Sequence, residues 1–402
     1  MKETVLIFSR NGYQSLLDSN RMLFSELEDK EIIYIFSVRT FSFPPQGTYK
    51  ELHVVELIDN DSYIRQLLVA LGSKYTINAV IAMDEQCIYP SALAREYFNL
   101  PGLRPDAAEM VRNKHKMKEW VSKSSVSCPE FISGNSISEI FKFYKEHGRV
   151  VCKPLDGMGS KETSIIESDE QLSNVISLLE KENRLHNFIF EEFIPAEIYH
   201  LDGVYYNSEL VFSSLGSYDE PPVYFANSVG QTTNLTHHGI IYEKANQALH
   251  DIMQTFKLEF GVFHFEFFYY KNEVVFCEIG LRPAGGGIVE AIKFQCGTDL
   301  NREMVRLSLG LSPTTIAHGK AFAKVISFFA HNVGKVLSVS SSDEFDQDIY
   351  PYVKINRQCG DVNNPPRHNT DFVATFVMVD DNQESLENKA KALVNKFHCN
   401  IG

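Results

Sequence analysis

With 402 residues, 44% of them hydrophobic and 22% charged, the chain carries enough apolar material for two or three domains with sizeable cores, and is neither disordered nor fibrous. A formal net charge of −14, with no Lys/Arg-rich run, argues against a sequence-independent nucleic-acid binder, which needs a basic surface. No stretch approaches membrane-spanning length and the opening apolar run TVLIFS is too short for a signal peptide, so a cytoplasmic protein without membrane or nucleic-acid partners is expected.

Residues 1 to about 105 alternate short apolar runs with helical patterns: TVLIFS, a helix through SLLDSNRMLFSELE, IIYIFSV, a helix through SYIRQLLVALGSKY, and AVIAMD. That βαβαβ order predicts a parallel, Rossmann-like sheet, with Asp84-Glu85 at a strand end as a cleft edge. A lone Asn11-Gly12 after the first strand is no dinucleotide fingerprint. A helix through SALAREYFNL stops at Pro101-Gly102, and a second runs through RPDAAEMVRNKHKMKEWV. A compact α+β unit follows, comprising the helix ISEIFKFYKEHG, the strand RVVCKPL, the loop DGMGSKE, the strand TSIIES, the helix DEQLSNVISLLEKENR and the strand NFIFEEFI. A hairpin turns about Asn207-Ser208, and residues 216 to 240 read as a long loop able to cover a site. The seven cysteines are scattered without a CxxC pair and read as reduced thiols, Cys152 and Cys277 within apolar strands.

The segment GVFHFEFFYYKNEVVFCEIGLRPAGGG carries the strongest chemical signal. Two strand-like runs joined at Lys271-Asn272 bring Glu266 beside Glu278, and period-two alternation puts Glu278 and Arg282 on one face. Adjacent carboxylates repel, and a hard dication such as magnesium relieves that repulsion. Upstream, Lys153 ends a strand and is followed by a loop containing Gly157, Gly159 and Ser160, whose backbone N–H groups can approach phosphate while the lysine supplies charge. The strand FIFEEFIPAE breaks at Pro195, leaving backbone groups able to pair with a purine edge. His237-His238 lacks a third ligand at metal spacing.

In order, NKHKMKEWV, VVCKPLDGMGSK, FIFEEFIPAE, FHFEFF and EIGLRPAGGG resemble the ATP-grasp superfamily of carboxylate-amine ligases over roughly residues 1 to 315. The resemblance implies an ATP-grasp fold, α/β and α+β, behind an N-terminal Rossmann-like domain. Its implied units are residues 1–110, a small lobe over 111–200 with a linker helix at 106–125, and a large lobe over 201–402 with a C-terminal subdomain from about 320. It implies ATP and magnesium or manganese as cofactors, with Lys114 and Lys153 on phosphates, Gly157, Gly159 and Ser160 in the phosphate loop, and Glu191, Glu192 and Ile194 at adenine. Glu197 would hold the ribose, Glu266 and Glu278 the metal, and Arg282 with Gly285 and Gly286 the reacting acyl group. Small-molecule carboxylate and amine substrates are implied, in the manner of amino-acid and dipeptide ligases.

Two departures bear on that branch. Where the family usually has Asn two residues after the second metal acid, this chain has Gly280; where biotin carboxylases carry a general-base Glu, it has Gly286, which disfavours carboxylation. A catalytically silent nucleotide-binding module and a ligase acting on a carrier protein or peptide stay open. A homodimer surface is possible over 320–402. For substrate selection, Tyr199, His200, Tyr205, Tyr218 and Tyr224 are candidates, as against core positions.

Overall fold

The computed structural model describes residues 2–40, 42–224, 229–235, 238–316, 319–367 and 369–402. Its first layer is a parallel sheet of β1 (Thr4–Ser9), β2 (Glu31–Ser37), β3 (Glu51–Val55) and β4 (Ile77–Ala82) in the order β3-β2-β1-β4, flanked by α1 (Asp61–Gly72) and α2 (Ile88–Tyr97). Strands β1 and β2 are buried along nearly their whole length, as parallel strands covered on both faces must be. The expected helix through residues 15–28 does not form. Asp18 instead folds back to accept from the N–H groups of Asn20 and Met22, and the segment is held as two 3-10 turns, Tyr13–Leu16 and Ser25–Leu27. Strand β3, unnoticed in the sequence, extends the sheet.

The expected linker helix over 106–125 is two helices, α3 (Pro105–Arg112) and α4 (Lys114–Val121). Asn113 leaves the helical region with φ −95° and ψ 111°, and its side chain accepts from the N–H groups of His115 and Lys116, capping α4. Next comes a four-stranded sheet, β5-β8-β6-β7, built from β5 (Phe131–Ser133), β6 (Val150–Pro154), β7 (Ser164–Ile166) and β8 (Phe188–Glu192). Helices α5 (Ile137–His147) and α6 (Asp169–Lys181) pack on it through Ile140, Phe143, Leu172 and Ile176. Ser136 caps the start of α5 and Gly148, at φ 71°, ends it.

The largest layer is an eight-stranded sheet in the order β13-β12-β9-β10-β11-β14-β18-β16. Its strands are β9 (Ile198–Tyr206), β10 (Glu209–Tyr218), β11 (Val229–Asn234), β12 (Gly261–Tyr270), β13 (Glu273–Gly280), β14 (Phe322–Phe328), β16 (Tyr352–Ile355) and β18 (Ala374–Asp380). Helices α7 (Ile240–Thr255), α8 (Ile288–Cys296), α9 (Leu300–Ser308) and α10 (Gln383–Lys396) pack beside it, and β15 (Gly334–Val339), β17 (Val362–Asn363) and β19 (Cys399–Ile401) form a small separate sheet. The segment expected as a covering loop is in part sheet: residues 216–218 finish β10, and β11 pairs with both β10 and β14. Residues 225–228, 236 and 237 of it, including His237 of the His237-His238 pair, lie outside the described residues. All seven cysteines are free. Among the described residues, no helix is long and apolar enough to cross a membrane.

Candidate active site

The β12–β13 hairpin turns at Lys271 and Asn272, both with positive φ (51° and 64°), the geometry of a tight two-residue turn. Its register sets Glu266 opposite Glu278 and His264 opposite Gly280, so the two carboxylates share one face as the alternation requires. Lys114, the first residue of α4, reaches between two elements: its Nζ lies 3.2 Å from Glu278 Oε2 and donates to the carbonyl of Gly157 at 2.6 Å. The phosphate-loop candidate is thereby tied to the hairpin. Lys153, at the end of β6, pairs with Glu191 of β8 at 2.9 Å, the two strands being neighbours in register.

Arg282 lies two residues past the end of β13 and donates from Nε to Glu85 Oε2 at 2.6 Å and from Nη1 to the Pro283 carbonyl at 2.9 Å. Arg112 meets the other oxygen, Glu85 Oε1, at 2.7 Å and donates to the Asp156 carbonyl at 2.9 Å. One carboxylate from the end of the parallel sheet thus clamps two guanidiniums. A cavity is lined by Glu85, Arg112, Lys114, Gly157, Gly159, Glu278 and Arg282, with His264 and Gly280.

Charge inside this region is tightly paired. Burial alone would raise the Glu278 carboxyl, but Lys114 and then Lys153 hold it well below the ordinary carboxylate range. Glu85 is likewise ionised against its burial by Arg282 and Arg112. Burial opposes the charge on Lys153, yet Glu191 more than restores it, and Arg282 is kept charged in the same way by Glu85. Each cation is therefore already matched by a carboxylate that an incoming phosphate would have to replace or share.

The other predicted residues divide. Glu191 is buried between Lys153 and Lys118, with Oε1 left without a partner, an acceptor suited to a purine amino group. Ile194 is buried, Glu192 half-buried, and the exposed Glu197 accepts from the Tyr199 hydroxyl at 2.6 Å. Ser160 sits in the loop after Gly159 with φ 56°. Gly285 and Gly286 lie in the turn before α8, with open space beside them, and stand outside the lining of the cavity around Arg282. Of the substrate-selecting candidates, Tyr199 and Tyr205 are core, Tyr224 is exposed, and only His200 and Tyr218 enter the polar network beside the acidic pair.

Three residues escaped sequence reasoning. Lys118 is fully buried, 3.4 Å from Glu191 and donating to the Cys277 carbonyl at 3.3 Å. It lies four positions after Lys114 on the same helix face, the signal that marks it. Arg112 just precedes the Asn113 break, and His264 stands two residues before Glu266 on the same strand face. Gly280 has a steric account: a Cβ there would sit 2.9 Å from Glu85 Oε2. The space that an asparagine side chain needs is filled by the carboxylate of Glu85.

Residues 111–286 match the ATP-grasp domain family. The chain is 22% identical over 270 residues to the L-arginine-specific L-amino acid ligase of Bacillus subtilis, a match that takes in 65% of this chain and 65% of that relative's length. An L-amino acid ligase from Bacillus licheniformis superposes with a TM-score of 0.81 at 15% identity, covering 100% of this chain and 99% of the other. The biotin carboxylase domain of the Hydrogenobacter thermophilus 2-oxoglutarate carboxylase, solved with MgADP and bicarbonate, gives a TM-score of 0.70 at 12% identity over 100% and 91% of the two chains. At such identities the likeness establishes architecture, and the architecture is the ATP-grasp fold.

Proposed function

We propose, from the premise that residues 111–286 are an ATP-grasp domain, that the protein is an ATP-dependent ligase joining a carboxylate, that of an amino acid or small metabolite, to an amine. The observation that carries this reading is that Glu278, with Glu266 opposite it in the hairpin register, lines one cleft together with Lys114 and Arg282. The likeness to amino-acid ligases supports the choice of substrate class. Residues 1–110, 111–200 and 201–402 serve in this reading as the N-terminal domain and the small and large lobes of a cytoplasmic enzyme.

The chemistry follows from charge. A carboxylate is a poor acylating agent, so the γ-phosphoryl group is transferred to it, and the resulting acyl phosphate has a good leaving group. Lys114 and Lys153 neutralise phosphate oxygens, and the backbone at Gly157, Gly159 and Ser160 approaches them. Glu191 Oε1 accepts from the adenine amino group, with the Glu192 and Ile194 backbone along its edge and Glu197 at the ribose. Magnesium or manganese, when bound by Glu266 and Glu278, supplies further charge neutralisation at the phosphates; two hard oxygen donors facing one another suit such an ion. Arg282 has Nη2 free of hydrogen bonds among the described residues, and a guanidinium fork stays ionised while it grips the oxyanion that develops as the amine attacks. The amide forms as phosphate leaves, and the amine's proton passes to solvent or a base.

The test is release of ADP and phosphate with Mg-ATP over a panel of amino acids, singly and in pairs, with L-arginine included, for wild type and Arg282→Ala. Release that requires a particular pair and falls roughly 10²–10³-fold in the variant is expected. ATP binding without turnover on any pair would overturn the small-molecule reading in favour of a silent module, or of a carrier-protein or peptide co-substrate.

A further inference from the structure

One face of the large sheet bears a row of polar side chains of which the ligase chemistry above uses only Glu266. His200 and Asp202 of β9, His264 and Glu266 of β12 and Thr232 of β11 point to that face, and His200, Asp202 and His264 are all at most 7% exposed. Asp202 accepts from Nδ1 of both histidines, Oδ1 taking His264 at 2.7 Å and Oδ2 taking His200. The far nitrogen of His200 is 2.9 Å from Thr232 Oγ1, and its ring crosses Gly216 so closely that a Cβ there would fall 2.2 Å from it. The far nitrogen of His264 is directed at Glu266, 3.3 Å from Oε1, and the Tyr218 hydroxyl donates to that same oxygen at 2.8 Å. Oε2 of Glu266 carries no hydrogen bond within the described residues.

A buried carboxylate with two imidazoles costs more to desolvate than an aliphatic cluster of equal volume, so this row is not the cheapest filling for a sheet face. What it achieves is directional. Both donors fall on one oxygen of Glu266, and the donor ring is fixed at its opposite nitrogen by Asp202, whose second oxygen is occupied by His200. We infer that His264 and Tyr218 are positioning residues that hold Oε1 of Glu266, so that the carboxylate meets the nucleotide's metal ion through Oε2 alone, with Asp202 and His200 fixing the His264 ring. This rests on the metal-binding reading of Glu266 proposed above. A small ion with strict octahedral demands is served by a carboxylate locked to one-oxygen ligation, because bidentate binding would distort its shell. Groups that orient a metal ligand in this way typically alter metal affinity about 10–100-fold when removed.

The measurement is Mn²⁺ uptake, followed by electron paramagnetic resonance in the presence of a non-hydrolysable ATP analogue, for wild type, Tyr218→Phe, His264→Leu and His264→Gln. Half-saturating Mg²⁺ and kcat in the ligase assay, and a thermal melt, accompany it. We expect Mn²⁺ to bind at least about tenfold more weakly in Tyr218→Phe and His264→Leu. In assay, the half-saturating Mg²⁺ rises more than kcat falls, and His264→Gln, whose amide can still donate to Glu266, recovers part of the loss. Binding of the analogue without metal stays as in wild type, which a general loosening of the sheet would not allow. Mn²⁺ affinities within twofold of wild type in the folded variants would overturn the inference while leaving the metal site itself standing; where His264→Leu does not fold, Tyr218→Phe decides. A wild type that takes up no Mn²⁺ with the analogue removes the metal reading of Glu266, and the inference with it.

Discussion

Strands β9 and β12 present two surfaces that are both largely buried and chemically opposite. On one lie Tyr199, Leu201, Phe263, Phe265 and Phe267, packed with α7 and α4; Tyr199 stacks on Phe267 with centroids 5.7 Å apart, and Phe265 on Phe276 at 5.9 Å. On the other lie His200, Asp202, His264 and Glu266. Depth of burial therefore does not separate scaffold from site in this molecule. What separates them is how interactions fail: an apolar contact loses energy in proportion to the atoms removed, whereas a buried charge that loses its partner carries the whole desolvation cost.

That contrast can be broken or sharpened by substitution. Asp202→Ala strips both histidines of their shared acceptor and is expected to lower unfolding free energy by about 3–5 kcal/mol in urea titration. A loss below about 1 kcal/mol would erase the distinction between the faces. Gly216→Ala drives a Cβ into the His200 ring from 2.2 Å and should cost about 1–3 kcal/mol by the same measurement, with an unchanged melt speaking against the ring's placement. A third prediction concerns acid. Glu85 titrates below its ordinary value of 4.5 in the folded chain, so its stabilising contribution is complete above that pH and is lost as pH falls toward the folded value. The slope is at most about 1.4 kcal/mol per pH unit. The stability gap between wild type and Glu85→Gln should hence narrow from pH 7 to pH 4, and a gap independent of pH would contradict the clamp. The smallest effect belongs to the dry face: Phe265→Leu should cost roughly 1 kcal/mol and leave ligase turnover intact.

Much of this arrangement can be read in the chain, and the parts that cannot be so read have separate physical causes. Period-two alternation within FHFEFF and EIGLR assigns Glu266, Glu278 and Arg282 to one face, and Lys271-Asn272 supplies the turn that sets them opposite one another. Those are local rules. The partner of Arg282 is Glu85, 197 residues away, and no local pattern says which strand end of the first sheet faces the hairpin. Asp202 is likewise an unremarked acid in HLDG until β9 is laid beside β12. Strand β11 is hard to read for a different reason: VGQTTN has little apolar content, and it is held by ladders on both sides rather than by its own propensity. Residues 15–28 differ in the opposite sense, since their apolar spacing suits a helix but Asp18 offers the backbone a competing turn.

The order of the large sheet also bears on how the protein is made. Strand β11 has β14 on its outer side, and β14 begins only at Phe322, followed in space by β18 and β16. During synthesis the chain through β13 can close the acidic hairpin and the polar row while β11 still shows a bare edge to solvent, a template for pairing with a neighbouring chain. Strand β14 and the strands beyond it, β18 and β16, cover that edge, so a chain cut before Phe322 would leave β11 open to pairing with a neighbour.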